Sequence, residues 1–173
     1  MSQRPLVGIL MGSTSDLPVM IETVAVLREL GISYEVNALS AHRTPERVAD
    51  YAASAEARGL GVLIAGAGGA AHLAGVLAAH TALPVIGVPV LAKSLDGMDS
   101  LLSTVQMPPG VPVATVGVNA ARNAGILAAQ ILGGGDPAIR ERVREFKARL
   151  ARSVEERNEG LPEQISDLLD ERK

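Results

Sequence analysis

Val62-Leu-Ile-Ala-Gly-Ala-Gly-Gly-Ala-Ala-His72 runs from four aliphatic residues straight into a stretch almost without side chains. A short apolar run closed by glycine reads as a buried strand, Val62–Ala65, leaving its sheet through a turn. From Ala70 to His80 the chain is apolar on nearly every face and long enough for a helix, and Val85–Val90 is a second strand-like run. Strand, glycine turn, helix and strand in that order make a crossover unit, which joins parallel strands.

Outward from this unit the alternation repeats. Strand-like runs lie at Leu6–Met11, Ser33–Leu39 and Val113–Val118. Leu17, Met20, Ile21, Val24 and Leu27 recur at helical spacing, and Gly31 supplies the stop. Thr44 and Pro45 form a cap and first-turn pair for a helix reaching about Arg58, and further helices are predicted over Gly97–Val105 and Ala120–Leu132. The pattern predicts an α/β domain over residues 1–132, with a parallel sheet covered by helices on both faces and strands apolar throughout. After Gly133-Gly134-Gly135 the composition turns charged, and Ile139, Val143, Phe146, Leu150 and Val154 make one narrow apolar stripe. Residues 133–173 therefore read as an appended amphipathic helix that packs on its own domain or on a neighbouring subunit. Ile165, Leu168 and Leu169 mark a last short helix.

Composition excludes several kinds of chemistry. The 173 residues include no cysteine, which removes thiol catalysis, thiolate metal sites and disulfides. No apolar run is long enough to span a bilayer, and Met1–Pro5 leads directly into a strand pattern, so a cytoplasmic protein without a membrane or targeting segment is expected. The net charge is −3 and the basic residues of the last third alternate with Glu, a solvated helix face and not a nucleic-acid surface. Hydrophobic residues make up 47% of the chain, yet only Tyr34, Tyr51 and Phe146 are aromatic. Ala, Val, Leu and Gly must build the core. The all-round apolar stretches Ala70–Ala79 and Ala120–Ala129 ask for burial on two sides, which points to a homo-oligomer.

In an open parallel sheet ligands bind beyond the carboxyl ends of the strands, so the loops there carry the functional reading. Gly12-Ser13-Thr14-Ser15-Asp16 leads a glycine turn and hydroxyls into a helix start, a place for an anion, although Ser and Asp there also serve as ordinary caps. Ser40-Ala41-His42-Arg43-Thr44-Pro45 gathers an imidazole, a guanidinium and two hydroxyls at one strand end. Arg43 beside hydroxyls suits a phosphate, and His42 suits proton transfer near neutrality. The bland alternative, a capping Thr44, a solvated Arg43 and a satisfied loop histidine, explains the three together less well. In Gly66-Ala67-Gly68-Gly69-Ala70-Ala71-His72 the backbone itself can approach a ligand. Gly66, Gly68 and Ala71 formally match a dinucleotide fingerprint, but Ile86–Leu91, about twenty positions on, contain no acid for a ribose. His72 reads as a residue that shapes its loop, and His80 as a partner of a helix end. With three histidines out of ligand spacing and no hydrolase or Walker motif, neither a metal nor a cofactor is expected. The residues alone leave an enzyme and a non-catalytic nucleotide-binding module both open.

Taken together, Gly12–Asp16, Ser40–Pro45, the Ala65–Leu73 run and Asp99–Val116 resemble, in order and in register over about residues 6–132, the 5-(carboxyamino)imidazole ribonucleotide mutase family of purine biosynthesis. The resemblance implies a flavodoxin-like three-layer sandwich and a homo-octamer whose active sites draw on more than one subunit. It implies an isomerase that moves a carboxylate from nitrogen to carbon 4 of an aminoimidazole ribonucleotide. Ser13, Ser15, Ser40 and Arg43 would hold the phosphate, Asp16 the ribose hydroxyls, and His42 would transfer the proton. Ala67, Gly68 and Gly69, with His72 and Leu73 behind them, would surround the migrating carboxylate. A carboxylase using free carbon dioxide is the alternative, but that subclass carries Arg-Ser-Asn where this chain has Ala67-Gly68-Gly69. Two positions depart from the family's habit: Ala74 replaces a frequent Pro and Leu91 a frequent Gln.

Overall fold

The computed structural model describes residues 6–171; Met1–Pro5, read above as leading directly into a strand, and Arg172 and Lys173 lie outside them. Five parallel strands form one sheet: β1 (Val7–Met11), β2 (Tyr34–Ala38), β3 (Val62–Gly68), β4 (Val85–Val90) and β5 (Ala114–Thr115). Their spatial order is β2-β1-β3-β4-β5 and every neighbouring pair is parallel, the flavodoxin-like arrangement. The helices are α1 (Leu17–Glu29), α2 (Pro45–Ala55), α3 (Leu73–His80), α4 (Met98–Val105), α5 (Ala121–Leu132), α6 (Pro137–Glu159) and α7 (Leu161–Asp170).

Burial follows position in the sheet. Every residue of β1 and β4 and the first five of β3 are buried, because helices cover both faces of the central strands. The expectation of apolar strands throughout fails at β2, Tyr-Glu-Val-Asn-Ala, none of whose residues is fully buried. As an edge strand it tolerates Glu35, which accepts a 2.6 Å hydrogen bond from the Tyr51 hydroxyl and pairs with Arg58 at 3.1 Å. The other edge, β5, shrinks from the expected Val113–Val118 to two residues, after which Asn119 (φ 57°) turns the chain toward α5.

Helix packing explains the small residues. On one face α5 lies against α1 so closely that a Cβ on Gly125 would fall 2.4 Å from Val26 Cγ1 and 3.2 Å from the Thr23 carbonyl. Thr23 Oγ1 donates to the Ala121 carbonyl at 2.8 Å within the same contact. Ala121, Ala124, Ala128 and Ala129 are buried with Ile139, Val143 and Phe146 of α6, so this chain alone covers α5 on two sides. The opposite face holds α2 and α3 over Leu10, Leu63 and Ala65. The stripe of α6 then divides: Leu150 and Val154 are exposed, and α7 has no buried residue. Among the described residues no helix is long and apolar enough to cross a membrane.

Candidate active site

A cleft of about 640 Å³ opens at the carboxyl ends of β1 to β4, where the chain passes to opposite sides of β1. It is lined by Ser13, Ser15 and Asp16 after β1, by Ser40, His42 and Arg43 after β2, and by Ala67, Gly68, His72 and Leu73 around the end of β3. Three loops far apart in sequence thus meet at one place.

The loop after β1 is a capping box. Ser13 Oγ accepts from the Ser15 amide at 3.3 Å and from the Ser15 hydroxyl at 2.9 Å, and Asp16 Oδ2 accepts from the Ser13 amide at 3.1 Å. Burial pushes the Asp16 carboxyl above its ordinary value, opposed by the Ser13 N–H and by the charge of Arg43. Arg43 joins the first two loops: Nη2 donates to the Gly12 carbonyl at 2.9 Å and Nε to Ser40 Oγ at 3.3 Å. Thr44 does not cap α2 with its side chain as expected. Its hydroxyl closes the preceding turn instead, accepting from the Ser40 amide and donating to the Ser40 carbonyl, each at 3.0 Å. The turn that carries His42 and Arg43 is thereby held from within.

The third loop starts later than its sequence indicates. Gly66, Ala67 and Gly68 continue β3 by pairing with Val88, Pro89 and Val90, and the turn comes at Gly69 with φ 65°. Helix α3 accordingly begins at Leu73 and not at Ala70. Gly69 does not line the cleft: its amide donates to the Ser100 hydroxyl at 2.8 Å. His72, at the start of α3, makes no side-chain cap and faces His42 across the cleft. His42 Nε2 and His72 Nδ1 are 2.8 Å apart with the rings near a right angle, so one nitrogen donates and the other accepts. His80 is exposed at the far end of α3, away from the cleft lining.

Val90 at the end of β4 and Leu91, Ala92 and Lys93 after it complete the wall and were absent from the sequence-derived site. The strand-end rule that selected the other loops also applies to this one, and Lys93 adds a second cation to the lining. Ser100 and Ser103 of α4, which hold Gly69 from behind, lie in the Asp99–Val116 stretch but received no role from the sequence, because that role depends on where α4 packs. Among the described residues no three His, Asp or Glu side chains gather as a metal site.

Residues 6–153, which include every loop of the cleft, match the family described as AIR carboxylase. The chain belongs to the AIR carboxylase family. Within that family it is 57% identical over 162 residues to the N5-carboxyaminoimidazole ribonucleotide mutase of Pyrococcus horikoshii, covering 94% of this chain and 92% of that one. It is 60% identical over 161 residues to the mutase of the same name from Thermotoga maritima, covering 93% and 94%. The crystal structure of Treponema denticola PurE superposes with a TM-score of 0.83 at 32% identity, over 91% of this chain and 99% of that one.

Proposed function

We propose that this family member catalyses the reaction for which its mutase relatives are named. The carboxylate of N5-carboxyaminoimidazole ribonucleotide moves from the exocyclic nitrogen to carbon 4 of the ring, a step of purine biosynthesis. One observation carries the reading: a single cleft holds Arg43 among the hydroxyls of Ser13, Ser15 and Ser40, and a paired His42 and His72 beside a wall of small residues. The first group suits a phosphate. Asp16 suits the ribose hydroxyls, which donate best to its ionised carboxylate, so this contact weakens as pH falls through its raised pKa.

The chemistry follows from the substrate. The nitrogen–carbon bond of the carbamate breaks to release carbon dioxide, and His42 supplies the proton that the nitrogen gains. Carbon 4 of the electron-rich ring attacks the held carbon dioxide, and the same imidazole takes the carbon 4 proton to restore aromaticity. Protons and electrons balance without a cofactor. Ala67, Gly68, His72 and Leu73 confine the fragment between the two steps, with Gly69 forming the turn behind them. Holding both pieces raises their effective concentration, worth several kcal/mol of barrier, and positioned acid-base catalysis contributes about a hundredfold to ten-thousandfold.

The proposal extends to a cytoplasmic homo-octamer in which the first part of residues 133–173 packs on its own domain and the part beyond Phe146 reaches a neighbouring subunit. The exposed Leu150, Val154, Ile165, Leu168 and Leu169 support self-association. Turnover of the carbamate substrate in buffer containing labelled bicarbonate tests the function. A mutase places little label in the first product formed; full equilibration of label would assign the chain to carboxylation from free carbon dioxide. A chain that binds ribonucleotide without turnover would be a binding module.

A further inference from the structure

We infer that Ser100 is a positioning residue that keeps the carbon dioxide fragment inside the cleft. The wall facing that fragment, Ala67, Gly68 and Ala70 with the turn at Gly69 behind it, is built of Ala and Gly and has no side chain able to fix its own backbone. Its conformation is set from outside. Ser100, fully buried in α4, donates through its hydroxyl to the Val90 carbonyl at 2.7 Å and accepts from the Gly69 amide at 2.8 Å. One oxygen therefore staples the end of β3 to the end of β4, the two strands whose following loops form this side of the cleft. Ser103 Oγ lies 2.7 Å from the Asp99 carbonyl and 3.3 Å from the Gly69 carbonyl, and shares its one proton between them. Gly69 holds φ 65°, and nothing lies within 4 Å of where its Cβ would be, so space does not confine this turn and its hydrogen bonds must. The Gly69 amide is thereby committed to Ser100 and is not offered to the cleft.

The inference rests on the proposed carboxylate transfer, which needs carbon dioxide to stay in place between bond breaking and bond making. In Ser100→Ala the turn loses its fixed partner and Gly69 is left with an unsatisfied amide. Some turnovers then end with the nitrogen–carbon bond broken, the nitrogen protonated and carbon dioxide lost to solvent, giving decarboxylated ribonucleotide instead of product. The readout is the partition of consumed carbamate between the 4-carboxylate and the decarboxylated ribonucleotide, measured by chromatography and corrected for the spontaneous loss seen without enzyme. Loss of a hydrogen bond of this kind is expected to move the partition toward the decarboxylated form about tenfold, with KM little changed.

Thr104→Val is the control. Thr104 is also buried in α4, and its hydroxyl donates to the Ser100 carbonyl within the helix, so its loss costs stability without touching Gly69. It should lower the melting temperature and leave the partition as in wild type. A Ser100→Ala enzyme that melts lower but partitions as wild type does would overturn the inference and leave Ser100 a structural residue. Equal leakage in both variants would overturn it as well. Wild type that forms no 4-carboxylate at all would instead defeat the mutase reading. Should Ser100→Ala fail to fold, Ser103→Ala probes the same turn through the Gly69 carbonyl and should leak in the same direction; wild-type partition there would count against the staple.

Discussion

His42 and Arg43 are adjacent in sequence and face different tasks in one cleft. Arg43 is committed by geometry: its guanidinium already spans the Gly12 carbonyl and Ser40 Oγ, and it brings a permanent charge to the hydroxyls around it. Arg43→Ala should weaken every phosphorylated ligand by roughly 1.5 to 3 kcal/mol, and Arg43→Lys should recover only part of it. Calorimetry on both variants checks this, and wild-type affinity in both would move the phosphate elsewhere. His42 contributes through proton transfer and holds a bond to His72. His42→Asn should therefore leave ribonucleotide binding in place while kcat falls by about two to four orders of magnitude. Loss of affinity with rate preserved would remove His42 from the proton-transfer role.

Among the elements, the contact of α1, α5 and α6 responds to pH through Glu29. Glu29, at the end of α1, accepts from Arg122 of α5 at 2.8 Å and from Arg149 of α6 at 3.1 Å, so one carboxylate ties three helices. Burial pushes the Glu29 carboxyl up, but the hydrogen bonds and charges of Arg149 and Arg122 together outweigh it and leave it below its ordinary 4.5. A depressed carboxyl stabilises the fold fully above the unfolded value and loses that contribution as pH falls through the folded one. Glu29→Gln should accordingly melt below wild type at pH 7, with the gap closing at pH values below 4.5. A gap unchanged down to acid pH, read by calorimetry or circular dichroism, would mean that the ion pairs add nothing. The partners are partly solvated, so the gap should also narrow in high salt.

For the molecule as a unit, the small-residue helices have different fates. The Ala-rich α5, expected to need a second subunit, is covered by α1 and by the first half of α6 in the same chain. What stays open includes Leu95, Met98, Leu102 and Val105 in and just before α4, the distal part of α6, and all of α7, where Ile165, Leu168 and Leu169 remain 50%, 61% and 59% exposed on one helix. That is a contiguous apolar face of the kind monomers avoid. Replacing Ile165 and Leu168 together by Asp should lower the mass found by light scattering at micromolar concentration while the melting of the α/β body stays near wild type. Unchanged mass would put the subunit contacts on other faces.

The fold was legible from residues 6 to 132 because its signals are local. Apolar runs of strand length, glycine stops, and helical spacing in the first helix each report on a few neighbouring residues, and their alternation leaves little besides a parallel sheet. Three of the four motifs reach the cleft for the same reason, each being a continuous loop at a strand end, whereas Asp99–Val116 spans α4 and β5 and lies outside the lining. What tertiary packing settled is what one oxygen or one imidazole touches across the chain. That His72 would meet His42 thirty residues away, that Gly69 would hand its amide to Ser100, and that Leu91 to Lys93 would finish the wall all follow from strand register and from where α4 lies. The same holds for Gly66 to Gly68, which look like a loop in sequence yet extend β3 because β4 offers a partner in register. Local propensity has no access to such pairings, since their free energy resides in contacts formed only after the sheet has assembled.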